Sequence, residues 1–217
     1  AAVLAAIDAA NSDGTPIASL ADLQGVAAAA TGGAAAALTT ISAYAQNNGG
    51  TAPVAADYTA AGVTGIGGAG QPTVAQINAA LADADVIGTA ADSTAEVQGI
   101  VDAYQAILAN ADGTANNATS PSAADYTKLG VTGIDTAAEL GLLGDVIDGK
   151  TAADVATPAQ IQALADAAAA TVAYDGTNTA PTQAQLEALG VTGLTADNLA
   201  AVLAAIDAAN SDGTPIA

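Results

Sequence analysis

This sequence predicts an all-α fold made of repeats, and three observations carry that prediction. The first eighteen residues, AAVLAAIDAANSDGTPIA, return unchanged as residues 200–217. A fourteen-residue motif recurs three times along the chain. Apolar side chains elsewhere follow helical spacing, with no convincing stretch of strand-like alternation. Repetition is weighed first because a repeat architecture stacks small units instead of closing one large core. An identical 18-mer does not arise by chance. Its simplest explanation is a tandem array with a period of about 199 residues, shown as one period and a short overlap.

The three copies of the motif are PVAADYTAAGVTGI from Pro53, PSAADYTKLGVTGI from Pro121 and PTQAQLEALGVTGL from Pro181. Their Val-Thr-Gly triplets begin at Val63, Val131 and Val191, spaced by 68 and 60 residues. The long unit therefore divides into three diverged segments, each expected to be a small three-helix bundle of about 60–70 residues packed end to end on the next. The expected boundaries are 53–120 for the first segment and 121–180 for the second. The third begins at 181–217 and overlaps residues 1–18 of the following period, and residues 1–52 are the wrapped remainder of a preceding copy.

Each element follows from caps and periodicity. Residues 1–10 repeat the tail of a helix that elsewhere begins at Leu194 to Leu199, and they are expected to dock on residues 19–46. Ser19 and Asp22 open the next helix, which the Thr31-Gly32-Gly33 break is expected to split in two. Thr73…Gln76, Ser93…Glu96, Thr136…Glu139, Thr157…Gln160 and Thr182…Gln185 pair a hydroxyl with an acid or amide three residues on, the capping-box spacing. Ser122…Asp125 is a weaker version. Pro158 falls where a missing N–H costs nothing. The apolar stripes are Val74, Ile77 and Leu81; Val97, Ile100, Val101, Tyr104, Ile107 and Leu108; Ile161, Leu164, Ala168 and Val172; and Leu199, Val202, Leu203 and Ile206. Gly62, Gly130 and Gly190 close the short first helices, each followed by a valine free to pack back. Asp112-Gly113, Asp148-Gly149 and Asp175-Gly176 end later ones. Each segment thus reads as a short helix, a Gly-Val-Thr-Gly corner and two longer helices.

Composition narrows function. Alanine supplies 64 of 217 residues; it favours helix but buries little area, so one segment alone has a thin core. Its apolar runs read as short and interrupted by Asp, Gly and Thr, which argues against a membrane-embedded chain. The 22 acids face only Lys128 and Lys150, a net charge of −20 that repels phosphate backbones and excludes nucleic acid as a partner. A solvated acidic face is the leading reading of these acids, with adaptation to salt or divalent-cation binding as alternatives. Cysteine, methionine, tryptophan, phenylalanine and histidine are absent, so neither disulfides nor thiolate metal sites contribute. The near-lack of basic residues removes trypsin-like cleavage sites, and with the sulfur-free composition it points to secretion.

Candidate chemistry is sparse. No nucleophile–base pair and no Gly-x-Ser-x-Gly elbow occurs, so the chain is read as not an enzyme, without catalytic, cofactor-binding or metal residues. Lys128 has alanine at the matching positions, Ala60 and Ala188. Asp83 and Asp85, two apart, point in different directions on a helix. Tyr58 and Tyr126 match Leu186, which says core. The glycine run from Gly65 to Gly70 lacks the preceding strand of a dinucleotide loop. Calcium is the one ligand kept open. Residues 11–15, their repeat at 210–214, and Asn110 to Thr114 offer oxygens at alternate positions but lack the bidentate glutamate of a full loop. The competing reading is an ordinary turn after a helix.

The motif P-x-A-A-D-Y-T-x-L-G-V-T-G-I, followed by TADNLAAVLAAIDAA from Thr195, resembles helical repeat regions of very large secreted bacterial surface proteins, among them adhesins of the repeats-in-toxin type. The resemblance spans essentially the whole chain and brings no catalytic residues. It implies a spacer or scaffold in an extracellular fibre, adhesin stalk or biofilm filament on the bacterial surface. Neighbouring repeats of the same chain are the expected partners, and the identical ends of the sequence add the expectation of head-to-tail self-association into filaments. A calcium- or ligand-binding adhesive module is the alternative.

Overall fold

The computed structural model describes residues 2–12, 17–115 and 120–211. Its helices are α1 Ala2–Ser12, α2 Leu20–Gln46, α3 Ala55–Ala60, α4 Val74–Leu81, α5 Thr94–Asn110, α6 Ala123–Lys128, α7 Ala137–Asp148, α8 Pro158–Val172, α9 Gln183–Ala188 and α10 Leu199–Ser211. A 3-10 turn, Gly88–Ala90, precedes α5. Among the described residues there is no strand, only one antiparallel bridge between Asp112 and Thr151. The fold is all-α.

The caps explain where helices begin. The hydroxyls of Ser19, Thr73, Thr136, Thr157 and Thr182 accept from the N–H three residues on. In the four threonine cases the Gln or Glu side chain answers on the cap N–H, completing the box. At α3 the cap is Val54, and only the acid half survives: its N–H donates to Asp57 Oδ2 at 2.8 Å.

Each short helix ends in the same corner. The N–H of Val63, Val131 and Val191 reaches back to the carbonyl of Tyr58, Tyr126 and Leu186, at 2.9, 3.1 and 3.0 Å. That is the six-to-one bond of a Schellman stop. It needs a left-handed residue, and Gly62, Gly130 and Gly190 have φ of 81°, 81° and 98°. The corner's second glycine is left-handed too: Gly65, Gly133 and Gly193 at 80°, 76° and 74°. Two such residues within four are what turn the chain from the short helix toward the next.

Two expectations about the amino-terminal region are corrected. The Thr31-Gly32-Gly33 break does not split the helix, and α2 runs unbroken for 27 residues. Each glycine costs about 1 kcal/mol relative to alanine, and the flanking Ala27–Ala30 and Ala34–Ala37 carry the helix across. The expected shortness of the apolar runs also fails here, since α2 is by length and composition long and apolar enough to cross a membrane. Its buried residues, Ala37, Ile41 and Ala45, lie four apart on one side and pack on protein.

The chain separates into two compact units, Ala1–Asp102 and Ala103–Ala217, with the division inside α5. In the first, α1 lies along α2 as expected from its sequence, and α2 packs on α3, the 3-10 turn and α4. Ser42 Oγ donates to the Gly88 carbonyl at 3.1 Å. In the second, α8 packs on both α7 and α9. Tyr104 OH donates to the Val155 carbonyl at 3.0 Å, and Asn110 Nδ2 to the Gly144 carbonyl at 3.0 Å. Lys150 Nζ donates to the Ala188 carbonyl at 2.6 Å, a cation at a helix C-terminus where the dipole favours it. Asn210 Nδ2 ties α10 to the Thr171 and Tyr174 carbonyls.

These backbone assignments set up a paired test by urea denaturation. Gly62→Ala places a Cβ only 3.6 Å from Thr94 Cγ2, ordinary contact, so its cost is the left-handed backbone, about 1–2 kcal/mol of lost stability. Gly32→Ala meets nothing within 4 Å in a continuous helix and raises stability by roughly 0.5–1 kcal/mol.

Candidate functional site

The structure gives several of the chemically suggestive residues a packing or hydrogen-bonding contact within the fold. Tyr58, Tyr126 and Leu186 are all buried, as their matching positions predict. Lys128 pairs with Asp125 at 3.7 Å with both side chains partly in water, an arrangement worth little. Asp83 Oδ1 accepts from the Asp85 N–H at 3.1 Å. The glycine loop closes on itself, with the Gly67 N–H on the Pro72 carbonyl and the Gly68 N–H on Gln71 Oε1.

The turn from Asn110 to Thr114 makes several bonds within the fold, while Asn110 Oδ1 is buried without a hydrogen-bond partner among the described residues. Asn110 Nδ2 holds Gly144, Asp112 Oδ1 accepts from the Thr114 N–H at 2.8 Å, and the Gly113 N–H goes to the Lys150 carbonyl. In the two copies of the other turn, residues 13–15 and 212–214 lie outside the described residues. Among the described residues no group of three acids or other ligands is placed to hold a metal ion. An open groove of about 480 Å³ between α2 and the 3-10 turn carries one acid, Asp92, among small residues, Leu38 and Gln46.

Shifted carboxylates often mark active sites, and here capping or turn hydrogen bonds account for them. Asp22 is held below the usual range by the Ser19 hydroxyl and the Ala18 N–H. Glu96 is lowered by hydrogen bonds from the Ser93 hydroxyl and Asp92, and Asp92 is raised by its hydrogen bond with Glu96 and the repulsion of that nearby carboxylate. Burial pushes Asp125 up, but its bonds to Ser122 and the nearby Lys128 outweigh this and lower it. The Thr151 N–H and hydroxyl lower Asp154, and the Thr177 N–H and hydroxyl lower Asp175. The lowered groups support the fold above their ordinary pKa, and that support is lost as pH falls through their folded values.

The most distinctive arrangement is a clasp on the corner. Gln98, on α5, accepts from the Thr64 N–H at 2.9 Å through Oε1 and donates from Nε2 to the Thr64 carbonyl at 3.1 Å. Gln162, on α8, does the same to Thr132, at 2.9 and 3.1 Å. Each amide is steered by an acid one turn on, Asp102 at 2.8 Å and Asp166 at 2.7 Å. One side chain thus satisfies both backbone groups of the corner threonine and fixes the corner on the last helix of its own segment. Neither glutamine was among the candidates drawn from the sequence. The available signal was spacing: both stand five residues after their helix cap, Ser93 or Thr157.

A second set of matched positions shows how the copies diverged. Tyr58 OH donates to Asn78 Oδ1, and Asn78 Nδ2 donates to the Pro53 carbonyl at 2.9 Å. Counting five from the caps Thr73, Thr136 and Thr195 gives Asn78, Gly141 and Ala200. The position matching Asn78 is therefore a glycine in the second copy, where the buried Tyr126 OH has no hydrogen-bond partner among the described residues; in the third copy the matching pair is Leu186 and Ala200, which has no hydroxyl to satisfy. Burial raises the pKa of both tyrosines, with Asp125 adding to the effect at Tyr126. Thermal melts should separate the two hydroxyls. Tyr58→Phe strands Asn78 and costs about 1–2 kcal/mol, whereas Tyr126→Phe removes an unsatisfied group and raises the melting temperature.

Comparison with known proteins gives no relative: no family model, no curated protein and no solved structure matches this chain.

Proposed function

We propose that this chain is a structural module: a tandem array of small three-helix bundles packed end to end, acting as a spacer in an extracellular bacterial fibre, adhesin stalk or biofilm filament. The observation that supports this reading is the double use of two of the last helices, α8 and α2. α8 packs on α7 of its own segment and on α9 of the next, and α2 packs on α1 and then on α3. Lys150 and Ser42 add polar ties across the same two segment boundaries. A link that shares a helix with its neighbour resists bending at the joint, which is what a spacer requires.

Composition supports the setting. A net charge of −20 keeps long polymers apart in solution, and the scarcity of lysine and arginine protects an exposed fibre from trypsin-like proteases. Small side chains let helices approach near the lower end of the usual 8–10 Å separation, so alanine suits a slender link.

Small-angle X-ray scattering of a chain of two consecutive periods tests the reading. At 1.5 Å per helical residue each segment is ~30 Å long and one period ~100 Å, so two periods end to end give a radius of gyration above roughly 50 Å. A compact globule of that length has about 21 Å, and a value near it would reject the spacer.

A further inference from the structure

The three segments can be aligned on their last-helix caps, Ser93 for α5, Thr157 for α8 and Ser19 for α2. Four residues on stand Val97, Ile161 and Leu23; the first two are fully buried, and Leu23 is 38% exposed. One residue on stand Thr94, Pro158 and Leu20, and Leu20 is 70% exposed. Five residues on stand Gln98, Gln162 and Gln24. The first two grip a corner, and the Gln24 side chain is exposed with no hydrogen bond among the described residues.

The corners show the complementary gap. Val63 and Val131 are 6% and 2% exposed, and Val191 is 39% exposed. The N–H and carbonyl of Thr64 and Thr132 are both clasped, while those of Thr192 meet no glutamine among the described residues. These residues therefore carry both halves of the same joint: among the described residues no corner sits on α2, and no last helix sits on the Val191 corner. The flanking helices also match: α1, which lies along α2, has the sequence of α10, which follows the corner.

We infer that α9 and the Val191-Thr192-Gly193 corner of one chain dock head to tail on the Leu20, Leu23 and Gln24 face of α2 in a second copy, where α10 replaces the identical α1. This rests on the end-to-end packing proposed above and names the partner of that joint. Exchange of α1 for α10 is close to neutral because the sequences are the same, so the gain comes from covering Leu20, Leu23 and Val191 and from closing the clasp. The clasp is weaker than its siblings, since Ala28 stands where Asp102 and Asp166 steer the other two glutamines. The contact uses two different surfaces, so it propagates and does not stop at a symmetric dimer.

Sedimentation velocity of the 217-residue chain over a wide concentration range tests this, in enough salt to screen the charge of −20. The expected result is a mass distribution that grows past dimer with concentration. Gln24→Ala and Val191→Asp should each move that growth to about tenfold higher concentration, while Gln98→Ala, the internal sibling, leaves it in place. A chain that stays monomeric throughout, or growth untouched by both variants, overturns the inference. Monomers whose two-period version is still extended in solution would remove docking between separate chains and leave the spacer reading standing.

Discussion

Apolar area is scarce in this chain, because 64 of its 217 side chains end at Cβ. At about 25 cal/mol per Å², two alanine-faced helices gain little by touching. Stability therefore depends on the few places where a large side chain enters, such as Ile41, Ile77, Tyr104, Ile107, Ile147 and Ile161, all fully buried. Between these points the helices are held by polar side chains aimed at backbone carbonyls. Tyr104, Asn110, Ser42, Lys150 and Asn210 each reach across to another element in this way. A thin core thus forces the fold to use directional bonds where a richer one would use volume.

The corner concentrates this logic. Two left-handed glycines turn the chain, a valine folds back as the apolar plug, and a glutamine from the last helix takes both backbone groups of the threonine between them. Of the two helices that carry such a glutamine, α8 also packs on the next short helix, α9. A corner seated on a shared helix links the order of one segment to the order of its neighbour, which is the property the proposed spacer requires.

Much of the fold was legible because its signals are local. Caps such as Thr73 with Gln76 and stops such as Gly62 act over three to six residues, so they are written in consecutive letters. The continuity of α2 is not legible in the same way, because a glycine pair reads as a stop. At Gly32 and Gly33 no left-handed turn follows, and the surrounding alanines outweigh the cost. The clasp is hidden in the sequence for the opposite reason. Gln98 and Gln162 act on partners 34 and 30 residues away, a distance at which nothing in the neighbouring letters announces them. Tyr126 shows a further limit: its place in the core followed from Leu186, but the loss of its hydroxyl partner at Gly141 required the structure.

Residue-resolved amide hydrogen exchange in dilute solution tests the account most directly, because the clasp binds the N–H of one named threonine in each corner. The N–H groups of Thr64 and Thr132, each bonded to a glutamine, should exchange slowly, and that of Thr192, which has no such partner among the described residues, should exchange fast. Equal rates at the three threonines would contradict the claim that these corners are held by their glutamines.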